Sequence, residues 1–176
     1  MKLGGVKPID DRKIVDRVLD GDAEAFNLLV RQWEKPIYNF IVRMIGDRDE
    51  AMDLCQDSFM KAYRELDTLK DRDRFSSWLY RIAHNTCFSK RRKDQGKTFV
   101  ELGPEMRPTR PSIESRLAVE RALLYLPEDQ REVVVLKVFQ GLKFEQIAVI
   151  QDAPVSTVKS RLYMGFEKLR LILGND

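Results

Sequence analysis

One histidine, His84, and two cysteines, Cys55 and Cys87, are all the imidazole and thiol that this 176-residue sequence contains. Three such groups fall short of the four Cys/His ligands of a structural zinc site, so neither a metal nor a cofactor is expected. Both cysteines sit inside helix-like patterns, which favours reduced thiols and a cytoplasmic setting. Glycine is scarce, at 9 residues, and neither GxGxxG nor a P-loop pattern occurs, so the usual nucleotide-fold fingerprints are absent. Nothing approaches the ~18 consecutive apolar residues of a membrane helix. The N-terminal MKLGGVKPIDDRK turns polar too early for a secretory signal, and membrane insertion is not expected. No nucleophile or carboxylate is nominated beside His84, so a contact role suits it better than catalysis, and no enzyme is expected.

What is present is charge, unevenly placed. Charged residues make up 34% and hydrophobic residues 43%, the mix of a soluble globular chain rather than a disordered one. The net charge is only +3, yet three windows depart from it. Between Met44 and Ser58, Asp47, Asp49, Glu50, Asp53 and Asp57 face the single base Arg48. Between Arg81 and Lys97, Arg81, Lys90, Arg91, Arg92, Lys93 and Lys97 face the single acid Asp94. Between Pro154 and Leu173, Lys159, Arg161, Lys168 and Arg170 face Glu167. One acidic and two basic patches imply partners of different kinds.

The periodicity is helical throughout. Phe26, Leu29, Val30, Trp33, Ile37, Phe40, Ile41, Met44 and Ile45 recur in steps of three and four, with Pro36 expected to kink that helix or start a new one. Gly46 to Asp49 reads as a turn and helix start. The next helix, about 49–66, is expected to bury Cys55, Phe59, Ala62, Tyr63 and Leu66, and Ser76 or Ser77 to cap a helix running toward Lys93. From Asp94 to Ser112 the periodicity stops, and Pro104, Pro108, Pro111, Gly96 and Gly103 mark a linker. Ser112 is then a cap for a helix over 113–126, and Pro127 suits the first position of a helix ending at Gly141. A short helix over 144–150, a turn at Gln151 to Pro154, and a helix over 155–173 follow. Val133 to Val135 are β-prone, but Leu136 and Phe139 keep a helical spacing. The fold class is therefore all-α: two small helical domains, 10–94 and 113–174, joined by a flexible proline-containing linker, 95–112, the second domain carrying a helix-turn-helix.

Three constellations bear on function. In FEQIAVIQDAPVSTVKSRLYMGFEKLR a short helix, a tight turn and a longer basic helix match a helix-turn-helix, whose second helix enters the major groove. Ile147, Val158 and Leu162 supply its core, Ala148 allows a close crossing, and Thr157, Lys159, Ser160 and Arg161 remain for phosphates and bases. Asp49, Asp53, Gln56, Asp57 and Lys61 share one helix face; acids repel nucleic acid, so that face suits a protein, or simply water. In LKDRDRFSSWLYRIAHNTCFSKRRK, Trp78, Arg81, Asn85, Ser89 and Arg92 share a face where rings and cations suit single-stranded nucleic acid, although Phe75 and Trp78 also suit a core.

DLCQDSFMKAYRELDTL, FSSWLYRIAHNTC and LPEDQREVVVLKVFQGLKFEQIAVIQDAPVSTVKSRL, in this order and spacing, resemble bacterial sigma factors of the extracytoplasmic function (ECF) group over about residues 16–173. The resemblance implies a protein that binds core RNA polymerase, directs it to promoters in a stress or envelope response, and performs no catalysis. It implies core-polymerase contacts, on the clamp helices of the large subunit, from Asp49, Asp53, Leu54, Cys55, Gln56, Asp57, Phe59 and Lys61. It implies minus-ten contacts, including a base flipped from the melted non-template strand, from Lys70, Asp71, Arg72, Asp73, Arg74, Phe75, Trp78, Arg81, Asn85, Arg91 and Arg92. Duplex contacts at the minus-thirty-five element would come from Ser156, Thr157, Lys159, Ser160, Arg161, Tyr163 and Lys168, in a domain that also meets the polymerase flap. An anti-sigma factor is a further implied partner, and the cytoplasm, at the nucleoid, the implied location. The alternatives are a helix-turn-helix regulator acting without polymerase and a helical adaptor binding proteins only. Three departures from the family pattern stand out: Lys143 where a capping Ser or Thr is usual, Asp152 for the turn glycine, and Tyr163-Met164-Gly165-Phe166 where two arginines are frequent.

Overall fold

The computed structural model describes residues 10–93 and 113–174. Among them every regular element is helical. The first domain opens with α1, Asp11–Leu19, whose N-terminus is capped by the Asp10 carboxylate accepting from the Arg12 amide, and which buries Ile14 and Val15. A 3-10 turn, Ala23–Ala25, leads into α2, Phe26–Ile45, which runs unbroken through Pro36. No new helix starts at Pro36. An interior proline costs ~3 kcal/mol, but Ile37, Phe40, Ile41 and Met44 are all buried just beyond it, and each such side chain contributes ~1.5–3 kcal/mol.

Helix α2 stops at Gly46, whose φ of +83° is left-handed and whose amide returns to the Val42 carbonyl at 2.8 Å. Asp47 then caps α3, Arg48–Arg64, accepting from the Asp49 and Glu50 amides, both at 2.9 Å. Tyr63, expected inside, lies 47% exposed with its ring edge-on to Phe26. After a 3-10 turn, Leu66–Thr68, the Asp71 carboxylate accepts from the Asp73 amide and starts a second one, Arg72–Arg74, that feeds straight into α4, Phe75–Lys93. Ser76 and Ser77 are therefore helix-interior residues rather than caps, because a capping group already stands one turn earlier. Trp33, Phe40, Phe75 and Tyr80 form an edge-to-face aromatic cluster where α2 meets α4.

The second domain contains α5, Ile113–Leu124, and α6, Glu128–Val134, which widens into a π-helical turn, Val135–Phe139. Pro127 precedes α6 in extended conformation instead of being its first residue, and the helical run ends at Phe139, two residues before the expected Gly141. The short α7, Phe144–Gln151, and the long α8, Val155–Leu173, complete the helix-turn-helix. Asp152 takes φ 48°, the single left-handed non-glycine residue among those described, as its place at the turn requires. The missing capping hydroxyl at Lys143 is offset in part by Gln146, whose side chain accepts from the Lys143 amide at 2.9 Å. Gly165 has a steric reason: a Cβ there would stand 2.9 Å from Val134 Cγ2, so α8 lies on α6 only because the side chain is absent.

The two domains touch. α4 packs along α7, and the C-terminal end of α2 packs against α5 and the π-turn. A Cβ on Gly46 would come within 2.6 Å of Leu124 in the second domain. The linker and the proposed Ser112 cap lie outside the described residues.

Candidate functional site

Helix α3 separates its residues by face. Ala51, Leu54, Cys55, Ser58, Phe59 and Ala62 are buried, and Asp49, Asp53, Gln56 and Asp57 are exposed, with Lys61 half-buried. Leu54, Cys55 and Phe59, expected among the contact residues, are thus core residues that fix the rotation of the helix; their apolar side chains are worth more inside than at a surface. Around the acids stand Met52 and Met60, both exposed. Asp49, Asp53 and Asp57 form no ion pair among the described residues. Burial beside Glu34 pushes the Cys55 thiol up to about 11, and its Sγ lies 3.8 Å from the Glu34 carbonyl oxygen.

The expected minus-ten residues divide in the same way. Phe75 is 1% exposed and belongs to the aromatic cluster, so it supports the surface instead of forming it. Lys70, Asp71, Asp73 and Arg74 are exposed on the capped turn, and Arg81 and Asn85 are exposed on α4. Trp78 is half-buried, tilted against Phe75 at a ring separation of 5.9 Å. The turn is held from both sides: Arg72 Nε bonds Asp16 Oδ1 at 3.2 Å and its Nη1 donates to the Leu69 carbonyl, while Arg74 pairs with Asp71 at 3.1 Å. Arg91 and Arg92 lie in the last turn of α4.

In the helix-turn-helix, Ile147, Val158 and Leu162 are buried as the core between α7 and α8, and Ser156, Lys159, Ser160, Tyr163 and Lys168 are exposed. Thr157 and Arg161 are half-buried. Arg161 is not a loose cation: its Nε lies 2.9 Å from Asp129 Oδ2 and its Nη1 donates to Gln151 Oε1 at 3.0 Å. Gln151 in turn donates from Nε2 to the Asp129 carbonyl at 2.9 Å and to Glu132 Oε2 at 2.8 Å. Asp129 and Gln151 are invisible as functional residues to a pattern search; the one signal for Gln151 is its position at the end of α7, on the side of the turn facing α8.

With the surfaces laid out, comparison with known proteins decides among the readings. The family model for Sigma-70 region 2 matches residues 29–97, and that for Sigma-70, region 4 matches residues 116–169. The chain belongs to the sigma-70 family. Within it the chain is one of the ECF sigma factors. It is 35% identical to the RNA polymerase sigma-H factor of Pseudomonas aeruginosa, over 90% of this chain and 91% of that one. It is 35% identical to the ECF RNA polymerase sigma-E factor of Salmonella typhimurium, over 92% and 93% of the two chains. Among solved structures, the sigma factor RpoE of Bartonella quintana, in complex with the anti-sigma factor NepR, superposes with a TM-score of 0.72 at 27% identity, covering 86% of this chain and 98% of that one. CnrH, solved with the cytosolic domain of CnrY, shares the fold with a TM-score of 0.71 at 23% identity, over 93% and 96% of the two chains.

A sigma factor is a transcription initiation factor and not an enzyme: it binds core RNA polymerase and brings it to particular promoters. Among the described residues no helix is long and apolar enough to cross a membrane.

Proposed function

We propose a division of labour among three surfaces of this sigma factor. The exposed acids of α3, Asp49, Asp53 and Asp57, with Gln56 and Lys61, dock on the clamp helices of core polymerase. The turn carrying Lys70, Asp71, Arg72, Asp73 and Arg74, with Trp78, Arg81 and Asn85 behind it and Arg91 and Arg92 further along α4, takes the melted minus-ten strand. The N-terminal half of α8, through Ser156, Thr157, Lys159, Ser160, Arg161 and Tyr163, with Lys168 on the backbone, takes the minus-thirty-five duplex. The observation that carries the reading is the exposure of three acids, without an ion-pair partner among the described residues, on the same helix whose other face is packed. Asp49, in the first turn, also favours the positive end of the α3 dipole, but Asp53 and Asp57 lie beyond that turn and gain little from it, so a partner outside the chain accounts for them.

The domain limits go with this assignment: residues 10–94 act on core and the minus-ten element, and 113–174 on the minus-thirty-five element. The proposed place of action is the cytoplasm, at the nucleoid, in a stress or envelope response. An anti-sigma factor is proposed as the inhibitor, by extension from the Bartonella quintana relative solved with NepR. The deciding experiment is retention of a genomic promoter library by core polymerase with and without the protein. Specific retention only with both present is expected. Exchange of residues 70–74 for the turn of another ECF sigma factor should then change the minus-ten preference and leave the minus-thirty-five preference in place; an unchanged minus-ten preference would remove the base-capture role from this turn.

A further inference from the structure

The turn assigned to the minus-ten strand carries three bases, Lys70, Arg72 and Arg74, and two of them are already engaged. Arg74 pairs with Asp71 inside the turn at 3.1 Å, and Arg72 pairs outside it, with Asp16 on α1. Lys70 is exposed and forms no ion pair among the described residues. The Arg72 guanidinium is held on several sides. Its Nε donates to Asp16 Oδ1 at 3.2 Å, and its Nη1 donates to the Leu69 and Lys70 carbonyls at 3.1 and 3.4 Å. One planar group thus ties the backbone entering the turn to a helix 56 residues earlier in the sequence. A second, longer pair runs the same way, from Arg12 Nη1 to Asp73 Oδ2 at 3.7 Å. Arg12 and Asp16 stand four residues apart, so one face of α1 meets the turn twice.

Helix α1 is itself anchored. Asp11 Oδ1 accepts from Gln32 Nε2 at 2.6 Å and from Trp33 Nε1 at 3.0 Å, both on α2. The helix buries Ile14 and Val15, and near its other end Arg17 Nη2 bonds Asp22 Oδ2 at 2.6 Å. Trp33 also lies edge-on to Phe75, the first residue of α4. The turn therefore sits between two supports that both lead to Trp33, α1 through Asp11 and α4 through Phe75.

We propose that α1 is a brace for base capture and that Asp16 is its positioning residue. Through Arg72 it holds the turn in the shape that receives the flipped base, while Lys70 is left to meet the phosphates. This role rests on the assignment of the turn to the minus-ten strand and adds a residue outside the turn that governs it. Extruding a base from the stack costs energy that contacts with the pocket must return, and a loop that has first to be ordered returns less. A guanidinium engaged by a carboxylate and two carbonyls is a support for backbone, whereas a free ammonium suits a phosphate as a point charge.

The test uses holoenzyme assembled from core polymerase and the full chain, with a single-stranded oligonucleotide carrying the minus-ten sequence selected from the promoter library. Its affinity is compared with that of the same strand made abasic at the most discriminating position. The ratio of the two isolates capture, because a change in net charge acts on both strands alike. D16A should lower that ratio about two- to fivefold, the range over which an exposed ion pair moves an equilibrium, and leave affinity for core unchanged. D16E, which keeps the carboxylate, should retain most of the wild-type ratio. R72A should lower the ratio by itself, and adding D16A to R72A should change nothing further, because Asp16 acts through Arg72. An unchanged ratio in D16A overturns the brace, as does a full further loss when D16A is added to R72A. A ratio near one in the wild type would instead remove base capture from this domain, and the brace with it.

Discussion

Helices α3 and α6 both carry dense charge, and they dispose of it in opposite ways. α3 turns Asp49, Asp53 and Asp57 to solvent with no ion pair among the described residues. α6 buries Arg131 and Glu132 within two residues of each other and gives each several partners. Charge at an exposed surface contributes little to stability, ~0–1 kcal/mol even when paired. Charge taken out of water is costly unless every donor and acceptor is answered. The acids of α3 are thus available to an external protein, and the charges of α6 hold this chain's own domains in place.

The largest effect should come from breaking the buried side of that comparison. Arg131→Ala leaves the Met44, Leu124 and Leu126 carbonyls without their guanidinium donor. Removing one member of a buried charged network costs ~3–5 kcal/mol. For a chain of this size, melting should fall by roughly 10 °C. Differential scanning calorimetry gives the answer, and a shift under 2 °C would mean that Arg131 is no keystone.

Asp53→Arg tests the exposed side. Stability should move by no more than ~0.5 kcal/mol, since the substitution lies on the surface, while affinity for core polymerase should fall at least tenfold, equivalent to ~1.4 kcal/mol. Equal core binding by the variant in a titration would show that the acids of α3 face water only. A loss of both stability and binding would show that the face is structural after all.

The same contrast separates two cations of α8. Arg161 is fixed by Asp129 and Gln151, and Lys168 is exposed. A guanidinium held in one orientation suits a base edge, where a good bidentate contact is worth ~1–3 kcal/mol of discrimination. A mobile ammonium suits the phosphate backbone. Arg161→Ala should relax preference at one position of the minus-thirty-five element. Lys168→Ala should weaken binding on all sequences and reduce the salt slope by about one. Binding titrations of the holoenzyme at several salt concentrations distinguish the two.

How much of this was legible in the sequence depends on whether local rules governed the residue. The helix-turn-helix core of Ile147, Val158 and Leu162 and the acid row of α3 follow from spacing alone, and Asp152 stands where the family resemblance puts a turn glycine; the structure places all of them accordingly. Pro36 starts no new helix, because a local penalty is outweighed by apolar burial at long range. Leu54, Cys55, Phe59 and Phe75 lie within motifs that carry contacts, but a motif does not say which of its residues face inward; the helix rotation does, and it turns all four into the core. The interdomain network was not legible at all. Arg131 and Glu132 stand in sequence directly ahead of the apolar run Val133 to Val135, and only the approach of His84, 48 residues away in sequence, makes Glu132 an interface residue.

The smallest expected effect concerns Cys55, on the packed face of α3. It is buried, and desolvation, with the Glu34 charge second, pushes its thiol from 9.0 up to about 11. The thiolate is the reactive form, so alkylation at pH 8 should be negligible in the folded protein and rapid once it is unfolded; rapid labelling of the native chain would contradict the packing of α3. The shift also has a sign for stability. The folded state disfavours the thiolate, so the stabilisation is fully present below about pH 9 and is lost as pH rises toward about 11, while the unfolded chain ionises first. Burial raises the Tyr80 phenol as well, and it acts in the same direction at higher pH. Comparison with Cys55→Ala separates the two. Between pH 8 and 10, urea unfolding of the wild type should weaken more steeply than that of the variant, and parallel slopes would place Cys55 in contact with water.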